Sequence, residues 1–531
     1  MRLLTRNSQK ELDNYLVSQG FPLLLLMETA GRALARHIAQ QAHKLGKNSI
    51  DFLIGPGMNG GDLYVAARVL AAEGFSCQIY ESSRNQALSI ESDSPVGSMR
   101  SAVLAVGLSP LTLNDYKVES LLVVDGLLGT GFQVERALSE ELAFAFRQLR
   151  KAKAAGAYLI ACDLPSGIEA TTGQVADFVV AVDQTVTFIA PKLGQVSSPA
   201  LSYNGELQIE SLGISNETVE NFFAQSSRDE KSPFQGYYRL DNEEFFQNLL
   251  PINSDTHKYR QGSLALVAGS TGMSGSLYFA GKAAVLSGIG LLHIVTGREV
   301  YQDVFPHLPQ ALYHIPSEAK VEAWQAAISA AIHKADALAI GPGLGQSEGA
   351  AKLVASCLEL NLPLLLDADA LNLLAKEKAL RQILLDRQKK GRATLLTPHA
   401  GEAQRLAQVS MDPATWKQLS RLEQATYLSK NYSCYLILKG ESSLIADPYG
   451  SALYVNPTGG PGLAKGASGD ILTGLVAGLL AQKPDPLQAA VLGTYWHGRA
   501  GDLASANLGW RCHTPQETLD YLSTALYQLP N

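Results

Sequence analysis

Short apolar runs recur along the chain, each closing on a glycine, an acid or a turn, with segments of helical spacing between them. In the first half such runs fall at 49–55 (SIDFLIG), 121–125 (LLVVD), 158–163 (YLIACD) and 185–189 (TVTFI). Positions 64–73 (YVAARVLAAE) and 140–153 follow the helical period instead. A strand that is apolar at consecutive positions is covered on both faces, so this alternation predicts a parallel sheet between two helical layers. The same pattern returns later. Runs at 263–269, 291–296, 337–341, 363–367, 394–397 and 434–439 predict strands, and 276–286, 324–332 and 419–430 predict helices. Between the halves the pattern is lost. AQSSRDEKSPFQGYY is polar and charged and carries a proline and a glycine, so 214–235 reads as a linker between domains at 1–213 and 236–531. No tandem repeat interrupts this plan.

Composition narrows the class. A chain of 531 residues exceeds one ordinary core, and 46% apolar with 18% charged residues is the balance of a globular protein. The net charge is −7 and no basic stripe is present, so nucleic acid is not an expected partner. The run PLLLLM at 22–27 is too short to span a bilayer, and no membrane partner or signal peptide is expected. The cysteines (Cys77, Cys162, Cys357, Cys434 and Cys512) are odd in number and form no CxxC pair. That favours free thiols and a cytoplasmic location. A homo-oligomer is expected.

Four loops of the first half follow strands, where open parallel sheets place their ligands. GPGMNGGDLYVAAR (55–68) offers Gly60 and Gly61 for close backbone approach, with Asn59 and Asp62 as polar ligands at a helix start. DGLLGTGF (125–132) joins Asp125 to a second glycine turn, Gly129-Thr130-Gly131. DLPSGIEATTG (163–173) shows Asp163 at a strand end, as a functional carboxylate or as a loop-ordering cap. In TVTFIAPKLG (185–194) Lys192 either meets a phosphate or is a solvated lysine.

Together, and with LLMETAGRALA at 25–35, these loops resemble the YjeF N-terminal domain, the NAD(P)H-hydrate epimerase family. The resemblance implies a Rossmann-like three-layer sandwich that interconverts the R and S hydrates of NADH and NADPH (NADHX and NADPHX). It implies potassium held by Asn59, Asp125 and Ser166, substrate contacts through Asn59, Gly60, Gly61, Asp62, Gly129, Thr130, Gly131 and Asp163, and Asp163 as the catalytic base. One departure stands out. The family's NNGGDG is MNGGDL here, so Met58 replaces an amide and Leu63 a glycine. If that glycine needs positive φ or close ligand approach, Leu63 is unfavourable and the N-terminal site is weakened.

In the second half, Gly466-Ala467-Ser468-Gly469-Asp470 precedes the apolar helical segment ILTGLVAGLLA. Backbone N–H groups of a small-residue turn at a helix start form an anion hole, and Asp470 can meet a substrate hydroxyl beside a transferring phosphoryl group. The alternative is a glycine loop with a capping aspartate. LLLDADALNLL (364–374) presents Asp367 and Asp369 either for Mg²⁺ through water or as helix caps. LLTPHAGEAQRL places His399 at a strand–helix junction, and LKGESSLIAD offers Lys439 to a nucleotide phosphate.

With VAGSTGMSGSLYFAGKAA and IGPGLG, this series resembles the ribokinase-like fold and the ADP-dependent NAD(P)H-hydrate dehydratase family. The resemblance implies adenine-nucleotide contacts at Lys439, Gly440, Glu441, Ser442, Ser443 and Gly469. It implies substrate contacts at Ser276, Gly345, His399 and Asp470, with ADP and Mg²⁺ as co-reactants. Asp470 would be the base that lets the hydrate's hydroxyl take a phosphoryl group and leave as phosphate. The family's HPGE is HAGE here and its NPG is GPG; neither change removes a catalytic side chain. The rival reading is a ribokinase-type small-molecule kinase with a weakened N-terminal domain, which would keep its phosphorylated product.

Overall fold

The computed structural model describes residues 1–86, 94–225, 234–240, 255–482 and 485–527. Two units separate by internal contacts, Met1–Asp229 and Glu230–Asn531. Each is built on its own sheet.

The first sheet contains β1 (Ser49–Ile54), β2 (Ser76–Glu81), β3 (Leu111–Thr112), β4 (Leu122–Gly126), β5 (Tyr158–Cys162), β6 (Gln184–Phe188) and β7 (Glu206–Glu210). All pairs are parallel and the order is β3-β2-β1-β4-β5-β6-β7. This is the doubly wound, Rossmann-like order, with its switch point between β1 and β4. The apolar runs are continuous because alternate residues enter opposite cores. Phe52, Val124, Ile160 and Val186 pack on one face, while Leu53, Val123, Leu159 and Ala161 pack on the other. The register brings Leu53 opposite Asp125 and Asp125 opposite Ala161, so the ends of β1, β4 and β5 share one edge.

The expected linker begins later than position 214. Asn216–Gln225 is a helix, and Val219 and Phe222 join a core with Leu12 and Leu16 of the helix Arg6–Ser18. These apolar positions, spaced for one helix face, outweigh the charged tail that follows. Residues 226–233 of the expected linker lie outside the described residues.

The second sheet holds β8 (Gly236–Arg239), β9 (Ser263–Val267), β10 (Leu291–Val295), β11 (Leu312–His314), β12 (Ala337–Ile340), β13 (Leu364–Leu366), β14 (Thr394–Leu396), β15 (Tyr435–Leu438), β16 (Leu444–Ala446) and β17 (Ala452–Val455). Its order is β11-β10-β9-β12-β13-β14-β15-β16-β17-β8, with antiparallel pairing only at β15–β16 and β16–β17. The helix Ser468–Gln482 packs on Ser274–Leu286 at very short range. A Cβ at Gly474 would lie 1.9 Å from the Ala280 carbonyl oxygen, which is why the helix uses glycine there. Among the described residues no helix is long and apolar enough to cross a membrane.

One buried cation ties three segments of this unit. Arg387 is 2% exposed. Its guanidinium donates to Thr394 Oγ1 at 2.9 Å, to the Leu358 carbonyl at 3.1 Å, to the Ala393 carbonyl at 3.2 Å, and closely to the Leu360 and Leu362 carbonyls. It thereby satisfies carbonyls at and beyond the end of the helix Glu348–Glu359, which would otherwise be buried unpaired. Arg387→Met keeps the stem but strands these acceptors. It should destabilise the C-terminal unit by about 3 kcal/mol, read from the urea midpoint of its unfolding.

Candidate functional site

In the N-terminal unit the loops after β1, β4, β5 and β6 meet at one sheet edge. Asp125 is the last residue but one of β4 and is buried. Its Oδ1 accepts from Ser166 Oγ at 2.6 Å and from the Leu127 N–H at 3.2 Å, and its Oδ2 accepts from the Ser166 N–H at 2.9 Å. Burial raises the Asp125 carboxyl and these hydrogen bonds oppose the rise. Asn59, in the first turn of the helix Met58–Ala72, donates to the Cys162 carbonyl at 3.0 Å and packs against Gly129. The three expected potassium ligands are therefore gathered around the 127–129 turn.

Asp163 follows β5 with φ at +63°, an uncommon conformation for a residue with a side chain. Its Oδ1 accepts from Thr187 Oγ1 at 2.9 Å and from the Phe188 N–H at 3.3 Å, and it forms a close ion pair with Lys192. Lys192 is 1% exposed and also donates to Thr187 Oγ1 at 3.0 Å. It is not a solvated lysine; it lines the cavity as the counter-ion of Asp163.

Asn59, Asp62, Gly129, Thr130, Gly131, Asp163 and Lys192 line a cavity of about 1040 Å³, and Asp125 and Ser166 do not. Asp62 is raised well above the ordinary carboxylate range by burial, then by the charges of Asp163 and Asp13. Gly60 and Gly61 do not line the cavity. They are buried inside the helix packing, and a Cβ at Gly61 would lie 2.2 Å from the Met27 sulfur. Their smallness serves helix docking rather than ligand approach.

Leu63 does not bring the strain expected of it. Its position is helical, it is fully buried, and it packs over Gly126 away from the cavity. Met58 is 48% exposed on the cavity rim. An alanine at Gly126 would place Cβ 2.5 Å from Leu63 Cδ1. Gly126→Ala should destabilise the N-terminal unit by about 1–3 kcal/mol, and adding Leu63→Ala should recover part of the loss in the same urea titration.

In the C-terminal unit the 466–469 turn opens the helix Ser468–Gln482, with Ala467 at φ +71° and Asp470 in the first turn. The Ser276 hydroxyl stands near enough to Asp470 to favour its charged form. Burial and the Asp367 charge push its carboxyl up to about 7, against the pull of Ser276 and Lys439. Lys439 Nζ lies 2.8 Å from Asp367 Oδ1 and 4.0 Å from Glu402 Oε2. Burial pulls its ammonium down, but Asp367, Glu402 and Asp470 outweigh that and the net shift is upward. A Cβ at Gly469 would lie 3.3 Å from Lys439 Nζ, so the β15 end and the helix start adjoin.

The two acids of LLLDADALNLL are both engaged. Asp367 also accepts from Thr397 Oγ1 at 2.8 Å and Thr473 Oγ1 at 2.7 Å. Asp369 accepts from the Gly345 N–H and from Gln346 Nε2, both at 2.9 Å. Neither side chain caps the helix Asp369–Lys376, whose N-cap is Ala368; the two acids instead tie neighbouring segments together. His399 is the N-cap of the helix Ala400–Ala407: Nδ1 accepts from the Gly401 N–H at 3.0 Å, and Nε2 lies 3.3 Å from Glu402. Its ring remains 55% exposed on the sheet edge. Gly440, Glu441, Ser442 and Ser443 form the β15–β16 turn, with Gly440 at φ +148° and Ser442 at φ +50°. Thus Ser276, Lys439, Gly469 and Asp470 are brought together. Gly345 follows β12 and His399 follows β14, on either side of β13, with no hydrogen bond to Asp470 among the described residues.

Comparison with known proteins agrees with both halves. A family model described as YjeF-related protein N-terminus matches residues 24–194, and one described as NAD(P)H-hydrate dehydratase matches 264–524. A bifunctional NAD(P)H-hydrate repair enzyme of Coxiella burnetii is 34% identical over 517 residues, covering 96% of each chain. The chain belongs to this family. A second repair enzyme, from Moorella thermoacetica, is 32% identical and covers 100% of this chain and 97% of its own. A solved ADP/ATP-dependent NAD(P)H-hydrate dehydratase of Bacillus subtilis, co-crystallised with ATP and Mg²⁺, is 31% identical. It covers 56% of this chain and 98% of its own, at a TM-score of 0.45.

This NAD(P)H-hydrate repair enzyme also carries site residues that sequence reasoning missed. Asp13, on the helix Arg6–Ser18, lines the N-terminal cavity. Nothing local marks it, because it reaches the sheet edge only through folding. Arg421 lies beneath the 440–443 turn, with Nη2 3.2 Å from the Leu438 carbonyl. His497 Nε2 is 3.4 Å from Ser468 Oγ; burial, then the Lys439 and His513 charges, bring it down to about 4. A histidine at the end of a largely apolar run, AAVLGTYWH at 489–497, was the available signal.

Proposed function

We propose that the N-terminal cavity epimerises hydrated NADH and NADPH and that the C-terminal site dehydrates the S hydrate at the expense of ADP, releasing AMP and phosphate. In the hydrate the ring nitrogen expels the neighbouring hydroxyl, giving an iminium that water re-enters from either face. Asp163, held by Lys192 and Thr187, would stabilise that cation and move the proton. The potassium reading is supported by the chemistry of its donors: all oxygen, one buried carboxylate, and neutral partners around it. Asn59, Asp125 and Ser166 would hold the ion, and it would supply positive charge near the cavity. No group of three or more His, Cys, Asp or Glu side chains is placed for a metal among the described residues.

At the second site hydroxide is a poor leaving group and phosphate a good one. Asp470 takes the hydroxyl proton as the phosphoryl group arrives, and the 466–469 turn receives negative charge at a helix start. Mg²⁺ would come with the nucleotide, since Asp367 and Asp369 are already engaged. The observation that carries this reading is Asp470 itself, with a carboxyl near 7, beside Lys439 and the turn. Five free thiols fit a cytoplasmic protein. Homo-oligomerisation is part of the proposal, to be read from the mass in solution.

The test is a coupled assay with each hydrate, ADP or ATP, and with or without potassium. S hydrate with ADP should regain the absorbance of the reduced nicotinamide, and R hydrate should follow faster than its spontaneous epimerisation allows. No gain from the S hydrate with either nucleotide would remove the dehydratase reading.

A further inference from the structure

The anion-hole turn is secured along its whole approach by a neighbouring helix, Pro486–Leu508, and the loop after it. Thr458 Oγ1 donates to the Tyr495 carbonyl at 3.0 Å, the Gly459 N–H donates to Asp502 at 2.9 Å, and Ser468 Oγ meets His497. Positions 495, 498, 502 and 505 recur at helical spacing, so the 458–469 segment lies along one helix face.

The last fixed point before the turn is Lys465. Its Nζ donates to the Arg511 carbonyl at 3.1 Å, to the Trp510 carbonyl at 3.4 Å and closely to the His513 carbonyl. An ammonium has three protons, and three carbonyls receive them. The same residue's own carbonyl accepts from the Ser468 N–H at 3.3 Å, and its N–H donates to the Leu463 carbonyl at 2.8 Å. Lys465 therefore joins the 510–513 loop to both ends of its own turn. The loop has little core of its own: Trp510 is 53% exposed, and its anchor is His513, held by Ser505 and Thr518. The turn in its place carries Ala467 in the left-handed region, a conformation that persists only where its surroundings impose it.

We propose that Lys465 is a positioning residue for the dehydration: its ammonium clamps the 510–513 carbonyls against the 466–469 turn, so that the N–H groups there stay aimed at the nucleotide's phosphate. This rests on the anion-hole reading above. Without the clamp the turn relaxes and phosphate binding and Asp470 alignment suffer together, whereas the N-terminal reaction is untouched.

The full chain is tested as wild type, Lys465→Ala, Lys465→Met and Lys465→Arg, with melting curves for each. Lys465→Ala and Lys465→Met should lower kcat/KM for ADP-dependent dehydration roughly 10- to 100-fold, with KM for ADP raised. Methylammonium should restore Lys465→Ala in a concentration-dependent manner, Lys465→Arg should retain more activity than Lys465→Met, and epimerisation should be unchanged. Wild-type kinetics in Lys465→Met would overturn the proposal. So would a loss that is equal in Arg and Met and unmoved by methylammonium, since packing alone would then explain it. Absence of ADP-dependent turnover in the wild-type chain would remove the site reading itself.

Discussion

Asp470→Asn should lower the rate of ADP-dependent dehydration by about 10²–10⁴-fold while leaving epimerisation intact. The side chain keeps its shape and its place in the first turn, so the change removes proton acceptance and little else. The wild-type pH profile should reveal the same group. Burial and Asp367 raise its carboxyl to about 7, so at low pH it holds its proton and cannot take one from the hydrate. The rate should fall about tenfold per pH unit below that value and level off above it. Asp470→Asn should lose this acid limb. Lys439→Met should move the limb upward, because Lys439 is the cation that holds Asp470 down. Full turnover in Asp470→Asn, or an acid limb that survives the substitution, would show that another group accepts the proton.

What the sequence made legible follows from burial. β1, β4, β5 and β6 were visible because both faces are covered and apolar or β-branched residues dominate them. β2 was not, since SCQIYE carries polar residues whose partners come from elsewhere. Glu81 is buried, yet Arg100 pairs with it at 2.7 Å and Tyr64 donates to it at 2.5 Å. A paired internal carboxylate looks like a surface one in a string of letters. The same limit governed the sites. Strand-end acids such as Asp125 and Asp163 could be picked out from the edge rule for open sheets. Lys192 could not be distinguished from a surface lysine, because its partner is 29 positions away in the chain. Gly60 and Gly61 are ambiguous for the opposite reason: glycine marks close approach, and here the approaching groups are the Gly55 carbonyl and Ile54 at Gly60 and Met27 at Gly61. In the second half the partners of Asp367 and Asp369 were not legible, because Thr397, Thr473 and the Gly345 N–H lie in other segments of the chain.

Asp163→Asn should abolish most of the epimerase acceleration, by about 10²–10⁴-fold, and leave dehydration of the S hydrate unchanged. Asparagine is the informative substitution. The backbone at 163 has φ +63°, and asparagine enters that region more readily than alanine, so a loss of rate reports on charge rather than on backbone strain. The cost falls on Lys192. Its ammonium is buried and would keep Thr187 Oγ1 and the Phe188 carbonyl, but would lose the carboxylate that balances it. The N-terminal unit should therefore lose about 3–5 kcal/mol of stability, and the assay belongs at a temperature where the variant is still folded. Lys192→Met tests the pair from the other side. It leaves Asp163 unbalanced beside Asp62, which Lys192 otherwise pulls down, so Asp62 should rise further. If the ion pair sets the charge of the cavity, each single variant should lose the acceleration nearly completely. The double variant should be no worse in rate and should recover part of the stability, because no uncompensated charge remains. Epimerisation at the wild-type rate in Asp163→Asn, measured on folded protein, would exclude Asp163 as the group that moves the proton.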